Sequence, residues 1–282
     1  MRLDDLPESS NYQDRRGSRR ARAGGIGLGG LLIVGLLSWA TGIDPRLLLG
    51  GLEMVQGSGQ QQETGTPPQQ DDIGRFVSRV LSSTEIVWSD IFKSEGGTYQ
   101  PPILVRYSGS YPTACGQGVA AMGPFYCPND RKVYLDTEFF DELAQRFQAP
   151  GQFAQAYVVA HEVGHHVQNL LGILPKVNEV RQRVSRAQSN ALSVRVELQA
   201  DCFAGVWGAH ARDRIDLNSA DIEAALNAAT AIGDDTLQKE TQGRVVPDSF
   251  THGSSAQRVR WFKTGLQSGD IKACDTFSAK DL

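Results

Sequence analysis

Two histidines four positions apart, with a glutamate beside the first, are the residues in this chain best suited to do chemistry: His161, Glu162 and His165 in His161-Glu162-Val163-Gly164-His165. On a helix, positions four apart project from one face, so both imidazoles can address the same ion. Glu162 sits about 100° round from His161, beside that ion rather than on it. This is the logic of HExxH, in which two His ligands hold Zn²⁺ and the Glu takes a proton from the water the ion activates. With five His in 282 residues, a random occurrence is expected on the order of half a per cent of the time. Tyr157, Val158, Val159, Val163, Val167 and Leu170 also give the segment an apolar face. Chance is a poor explanation.

A catalytic zinc takes three protein ligands and leaves a position open. The third His of an HExxHxxGxxH pattern is absent, because Gln168 and Leu171 occupy the places of its Gly and His. Glu197 is the better candidate: Glu197-Leu198-Gln199-Ala200-Asp201 puts Glu197 and Asp201 on one face of a second helix. Glu197 would bind the metal and Asp201 would orient a ligand histidine by accepting its second N–H. Cys127 is the rival ligand, unless a disulfide removes it. Gly164 costs a helix about 1 kcal/mol relative to Ala, which close approach of that second helix would offset.

Peptide hydrolysis also asks for a donor to the developing oxyanion, commonly a His or Tyr. His252, Tyr157 and His210 are the candidates, with His252 favoured because it lies in a loop just ahead of a helix. His166 points away from the zinc face and reads as structural. Trp207, Trp261 and Phe262 read as core.

These residues need elements to position them. A helix begins near Asp71 or Asp72, with Ile73, Phe76, Val77, Val80 and Leu81 at helical spacing. A strand follows at Ile103 to Tyr107, then a Gly-rich cysteine loop, then a short strand from Lys132. Residues Lys132 to Asp136 are expected to form an edge beside the cleft, where an extended substrate could add as a further strand. Helices are expected at Glu138 to Phe147, at Phe153 to Leu171 (stopped by Gly172 and Pro175), and at Ala187 to His210. Two more run from a Ser219 cap to Gly233 and from Ser255 to Leu266. The expected fold class is α+β, a helix-dominated zincin-like, gluzincin-type metallopeptidase domain at 71–282 with a small sheet, preceded by a single transmembrane helix.

That last element comes from the N-terminus. Gly24 to Ile43 is a charge-free run long enough, as a helix, to span roughly 30 Å. Arg15, Arg16, Arg19, Arg20 and Arg22 precede it, so residues 1–23 read as a disordered cytoplasmic basic tail and everything after Ile43 as exported. A cleaved signal peptide, cut after Ala40, is the alternative. Residues 44–70 read as a flexible linker. Gly25 and Gly29 form a GxxxG pair capable of weak self-association. The localisation expected is the inner membrane, with the catalytic domain outside the cytoplasm.

The formal net charge is −4. The first 23 residues carry six Arg against four acids, or +2, leaving −6 for the rest, which excludes nucleic acid as the main partner. Four cysteines in an exported chain suggest two disulfides. Cys115 with Cys127 closes a short loop and is the first choice, and Cys202 with Cys274 follows by elimination; four buried thiols are the alternative.

Long stretches resemble the bacterial family called "putative neutral zinc metallopeptidase" (YpfJ-like): Gly123-Pro124-Phe125-Tyr126-Cys127-Pro128, Val133-Tyr134-Leu135-Asp136, Ala156 to Gln168, Glu197 to Cys202 and Thr251 to Arg258. The resemblance implies a gluzincin-type site with His161, His165 and Glu197 on Zn²⁺ and a protein or peptide substrate. Competing expectations are a non-catalytic zinc-containing binding or scaffold domain, and a metallohydrolase with a non-peptide substrate. Glu162 discriminates, since a structural site has no need of a general base.

Overall fold

The apolar periodicity after Asp71 does build a helix, and in the computed structural model, which describes residues 1–17 and 71–282, it is the first of eight among the described residues. Helix α1 (Asp72–Ser94) is capped by Asp71, whose carboxylate accepts from the Gly74 N–H at 2.7 Å. Five short strands follow: β2 (Ile103–Tyr107), β3 (Ser110–Thr113), β4 (Gly116–Val119), β5 (Phe125–Cys127) and β6 (Lys132–Asp136). Helices α2 (Glu138–Gln145), α3 (Gln152–Leu170), α4 (Ile173–Arg181) and α5 (Arg186–Ala211) come next. The chain ends on α6 (Ser219–Ala231), α7 (Asp234–Gln242) and α8 (Ser255–Ser268).

Side-chain caps set where several helices begin. Ser185 with Gln188 and Ser254 with Gln257 form reciprocal capping boxes at α5 and α8. At α6 the cap is Asn218 with Asp221, not the expected Ser219, because an amide oxygen one residue earlier already reaches the third N–H. Helix α3 ends as expected before Gly172, which adopts a left-handed conformation (φ 75°). Pro175 starts rather than stops structure: it lies in the first turn of α4, where its missing N–H costs nothing.

The main sheet runs β1-β2-β6-β5, with β1 (Tyr12–Asp14) and β2 parallel, β2 and β6 parallel, and β6 and β5 antiparallel. The strand expected at the edge, Lys132 to Asp136, is therefore internal. The edges are β1 and β5, each too short at three residues to stand out as a strand in the sequence. Strands β3 and β4 form a separate hairpin, tied to β5 through the Cys115–Cys127 disulfide. The core gathers Leu81, Trp88, Leu104 and Leu135 with Phe153, Tyr157, Phe203 and Trp207. Trp207 stacks on Phe153, and Phe262 is fully buried. Trp261 is buried too, as the sequence suggested.

Two expectations about the N-terminus are corrected. Residues 1–14 are no free tail. Leu3 and Leu6 are buried in the core, Ser9 and Asn11 both donate to the Glu85 carboxylate, and β1 pairs with β2. Met1–Asp14 and Gln70–Leu282 form one compact unit. No helix among the described residues is long and apolar enough to cross a membrane. The run 24–43 and the whole of the 44–70 linker lie outside the described residues. Among the described residues the architecture is thus α+β and helix-dominated, and the transmembrane helix expected ahead of it is not found there. The strands that flank the undescribed segment, β1 before it and β2 after it, are hydrogen-bonded neighbours in one sheet. The guanidinium of Arg106, on β2, lies 2.6 Å from Asp71 and 3.8 Å from Asp14, so both ends of the intervening segment meet one buried cation.

Candidate metal centre

Helix α3 carries His161 and His165 on its buried side, and α5 crosses it closely. A methyl group on Gly164 would come within 3.0 Å of the Ala200 carbonyl oxygen and 3.2 Å of its Cα. That approach brings the face carrying Glu197 and Asp201 onto the histidines. His161 Nε2 is 3.2 Å from Glu197 Oε2, and His165 Nε2 is 3.5 Å from Glu197 Oε1. One ligand atom from each of the three residues lies within 4.8 Å of the others. Donors about 2.0–2.2 Å from a tetrahedral zinc lie roughly 3.3–3.6 Å from one another, so two imidazole nitrogens and a carboxylate at these separations fit that ion.

Each histidine is held from behind. Asp201, fully buried, accepts from His161 Nδ1 at 2.8 Å and from the Tyr157 hydroxyl at 2.5 Å. Arg258 donates to both of its oxygens, Nε to Oδ2 and Nη2 to Oδ1, each at 2.9 Å. His165 Nδ1 lies 2.9 Å from Gln168 Oε1. With both Nδ1 atoms engaged, the two Nε2 atoms face Glu197.

The charges are strongly coupled. Burial works against ionising Asp201, but Arg258 and His161 more than offset it and hold the carboxyl down at about 2. Burial would lower the His161 imidazole, but Asp201 and Glu197 push it up to about 10. Glu197 is held well below the usual carboxylate range: burial opposes its charge and the two histidines outweigh that. Glu162 shifts the other way, raised chiefly by burial. A buried carboxylate beside the ligands and with its affinity for protons increased is suited to accept one.

The remaining candidates separate. His252 sits in the loop before α8, its side chain about half exposed. Asp234 Oδ2 accepts the backbone N–H groups of Thr251, His252 and Gly253 at 2.7, 2.6 and 3.0 Å, and Oδ1 lies 3.2 Å from His252 Nδ1. Gly253 packs on Leu198 and Val194 of α5, beside Glu197. Tyr157 is no free donor, since its hydroxyl is fully buried on Asp201 and Arg258. His210 lies elsewhere, bonded to the Gly269 carbonyl. His166 faces away from Glu197: Nε2–H donates to the Gln100 carbonyl at 2.6 Å and Nδ1 accepts from Tyr126 at 3.1 Å, while burial presses its pKa down to about 4. The structure pairs Cys115 with Cys127 and Cys202 with Cys274, which removes Cys127 as a ligand.

Sequence reasoning assigned no role to Arg258 or Gln168. Both carried a signal. Arg258 is three and four positions before Trp261 and Phe262, a charge on a core face, and Gln168 is three after His165 on the face of the ligands.

A helix-borne pair of imidazoles joined by a carboxylate from a crossing helix defines an α+β zinc-site protein. The chain belongs to the family described as "Putative neutral zinc metallopeptidase", which matches residues 1–277, and zinc is the cofactor this family implies. It is 50% identical to the uncharacterized protein YpfJ of Escherichia coli K12, over 98% of this chain and 99% of that protein. It is 44% identical to the uncharacterized protein Rv2575 of Mycobacterium tuberculosis, over 75% of this chain and 74% of that protein. No solved structure matches it.

Proposed function

We propose that this chain is a zinc-dependent peptidase of gluzincin type, with His161, His165 and Glu197 as metal ligands and Glu162 as general base. The observation that carries the reading is the convergence of those three donors within 4.8 Å with Glu162, buried, next to His161 in the chain. When bound, zinc lowers the pKa of a water to about 7 and polarises a carbonyl. Glu162 accepts a proton at its carboxylate and passes it to the leaving amine. Asp201 keeps the proton of His161 on Nδ1. His252, whose proton affinity is raised by its Asp234 contact, donates to the oxyanion from Nε2 as an imidazolium, with Nδ1–H on Asp234. An extended peptide adds to the free edge of β5. A purely structural zinc site would have no use for a buried carboxylate in the position of Glu162. The two disulfides favour an oxidising, extracytoplasmic location.

Cleavage of casein and of a peptide library by the full chain, wild type against Glu162→Gln, tests this with zinc content measured on both. The expected result is retained zinc and activity lower by roughly 10²–10⁴-fold. Equal activity in the two proteins sinks the mechanism.

A further inference from the structure

Gln168 is fully buried and Gln199 nearly so (5% exposed), and neither has a role in the hydrolysis described above. A buried amide must place its oxygen against donors and its nitrogen against acceptors. Gln168 Nε2 lies 2.7 Å from the Val196 carbonyl oxygen and 3.0 Å from Gln199 Oε1. Gln199 Nε2 in turn lies 2.9 Å from the Cys274 carbonyl oxygen. Backbone carbonyls only accept. Flipping either amide would therefore set two oxygens against each other in a buried site, which is strongly disfavoured.

Both orientations are thus dictated by the main chain, and the consequence reaches the metal centre. Gln168 Oε1, an acceptor, is what faces His165 Nδ1 at 2.9 Å. That contact requires the proton on Nδ1 and leaves the lone pair on Nε2, the atom facing Glu197. The far end of the relay is fixed covalently, because Cys274 is bonded to Cys202 on the same helix as Gln199.

We propose that Gln168 is the positioning residue for His165, locked by Gln199 and the Val196 and Cys274 carbonyls so that His165 presents Nε2 to zinc. The two histidines are then served by different chemistry: a carboxylate clamped by an arginine behind His161, and a neutral chain of amides behind His165. The proposal rests on the zinc ligands given above but not on peptide as the substrate. A protein that binds zinc normally and cleaves nothing leaves it standing.

The test uses Gln168→Met and Gln199→Met in the full chain, with Val177→Ala as a control that truncates a buried side chain outside the amide relay. Zinc affinity is measured by chelator competition, and the His165 tautomer by ¹⁵N NMR of the metal-free protein at a pH high enough for the ring to be neutral. Gln168→Met should weaken zinc binding by roughly 10–100-fold and let His165 populate the Nε2–H form. Gln199→Met, which leaves the Val196 anchor, should weaken it less, and Val177→Ala should not change it. Affinity within twofold of wild type in Gln168→Met, or His165 still wholly Nδ1-protonated there, overturns the proposal. If Gln168→Met does not fold, unchanged affinity and tautomer in Gln199→Met overturn it instead.

Discussion

Arg258 meets Asp201 side-on, Nε to one carboxylate oxygen and Nη2 to the other at 2.9 Å each, with the two side chains 3% and 0% exposed. The same carboxylate holds His161, so this ion pair fixes a metal ligand at second hand. Removing one member of such a pair leaves a buried charge without its partner, which costs about 3–5 kcal/mol. Arg258→Met should lose stability of that order by urea unfolding of the metal-free protein. Arg258→Lys should recover little, because an ammonium cannot make the two-pronged contact.

Gly164 offers a test with an unusual sign. In an open helix, Gly→Ala gains about 1 kcal/mol. Here the added methyl would meet the Ala200 backbone at 3.0–3.2 Å. Gly164→Ala should therefore destabilise by about 1–3 kcal/mol. It should also weaken zinc binding, because it moves Glu197 relative to the histidines. Thermal unfolding and chelator competition on one sample check both effects.

Asp234 gives a pH signature. Burial opposes its charge, but hydrogen bonds from His252 and the neighbouring backbone N–H groups outweigh that and lower its pKa from the usual 3.8. The unfolded chain then binds the proton more readily than the folded one. The stabilisation is complete above about pH 4 and is lost as pH falls through and below that value. Asp234→Asn should lose about 1–2 kcal/mol at pH 7, and its deficit against wild type should shrink on acidification. Urea unfolding from pH 7 to pH 3 follows it. A constant deficit would assign the effect to packing instead.

The N-terminal strand predicts a contrast between two deletions. Removing residues 1–14 exposes the pocket of Leu3 and Leu6, each worth about 1.5–3 kcal/mol, and strips β1 from the sheet. Replacing 15–69 by a short Gly/Ser linker touches none of those contacts. The first variant should unfold at markedly lower denaturant than the second.

What could be read in advance follows from how local the signal was. Helices α3 and α5 announce themselves by apolar residues every three to four positions. His161, His165, Glu197 and Asp201 each sit on a face defined by that period. Strand β1 is three polar-leaning residues, Tyr-Gln-Asp, whose partner β2 lies about ninety positions on; no alternation marks it. The charge-free run at 24–43 drew attention to membranes, but pairing across the segment that contains it is invisible to hydropathy. Tyr157 was a reasonable oxyanion donor by type, and its hydroxyl is consumed by Asp201. Arg258 could have been found, since a cation among core residues asks for a buried anion.

Arg106 has a consequence for how sequences of this kind can diverge. It holds Asp14 and Asp71, which are 57 positions apart (71 − 14), at one point. The entropy of closing a chain over such a span grows only with the logarithm of its length, so doubling it costs only about 0.6 kcal/mol. Closure entropy alone therefore lets the spacing between the two aspartates vary widely at little cost. Positions 14, 71 and 106, by contrast, should change together or not at all.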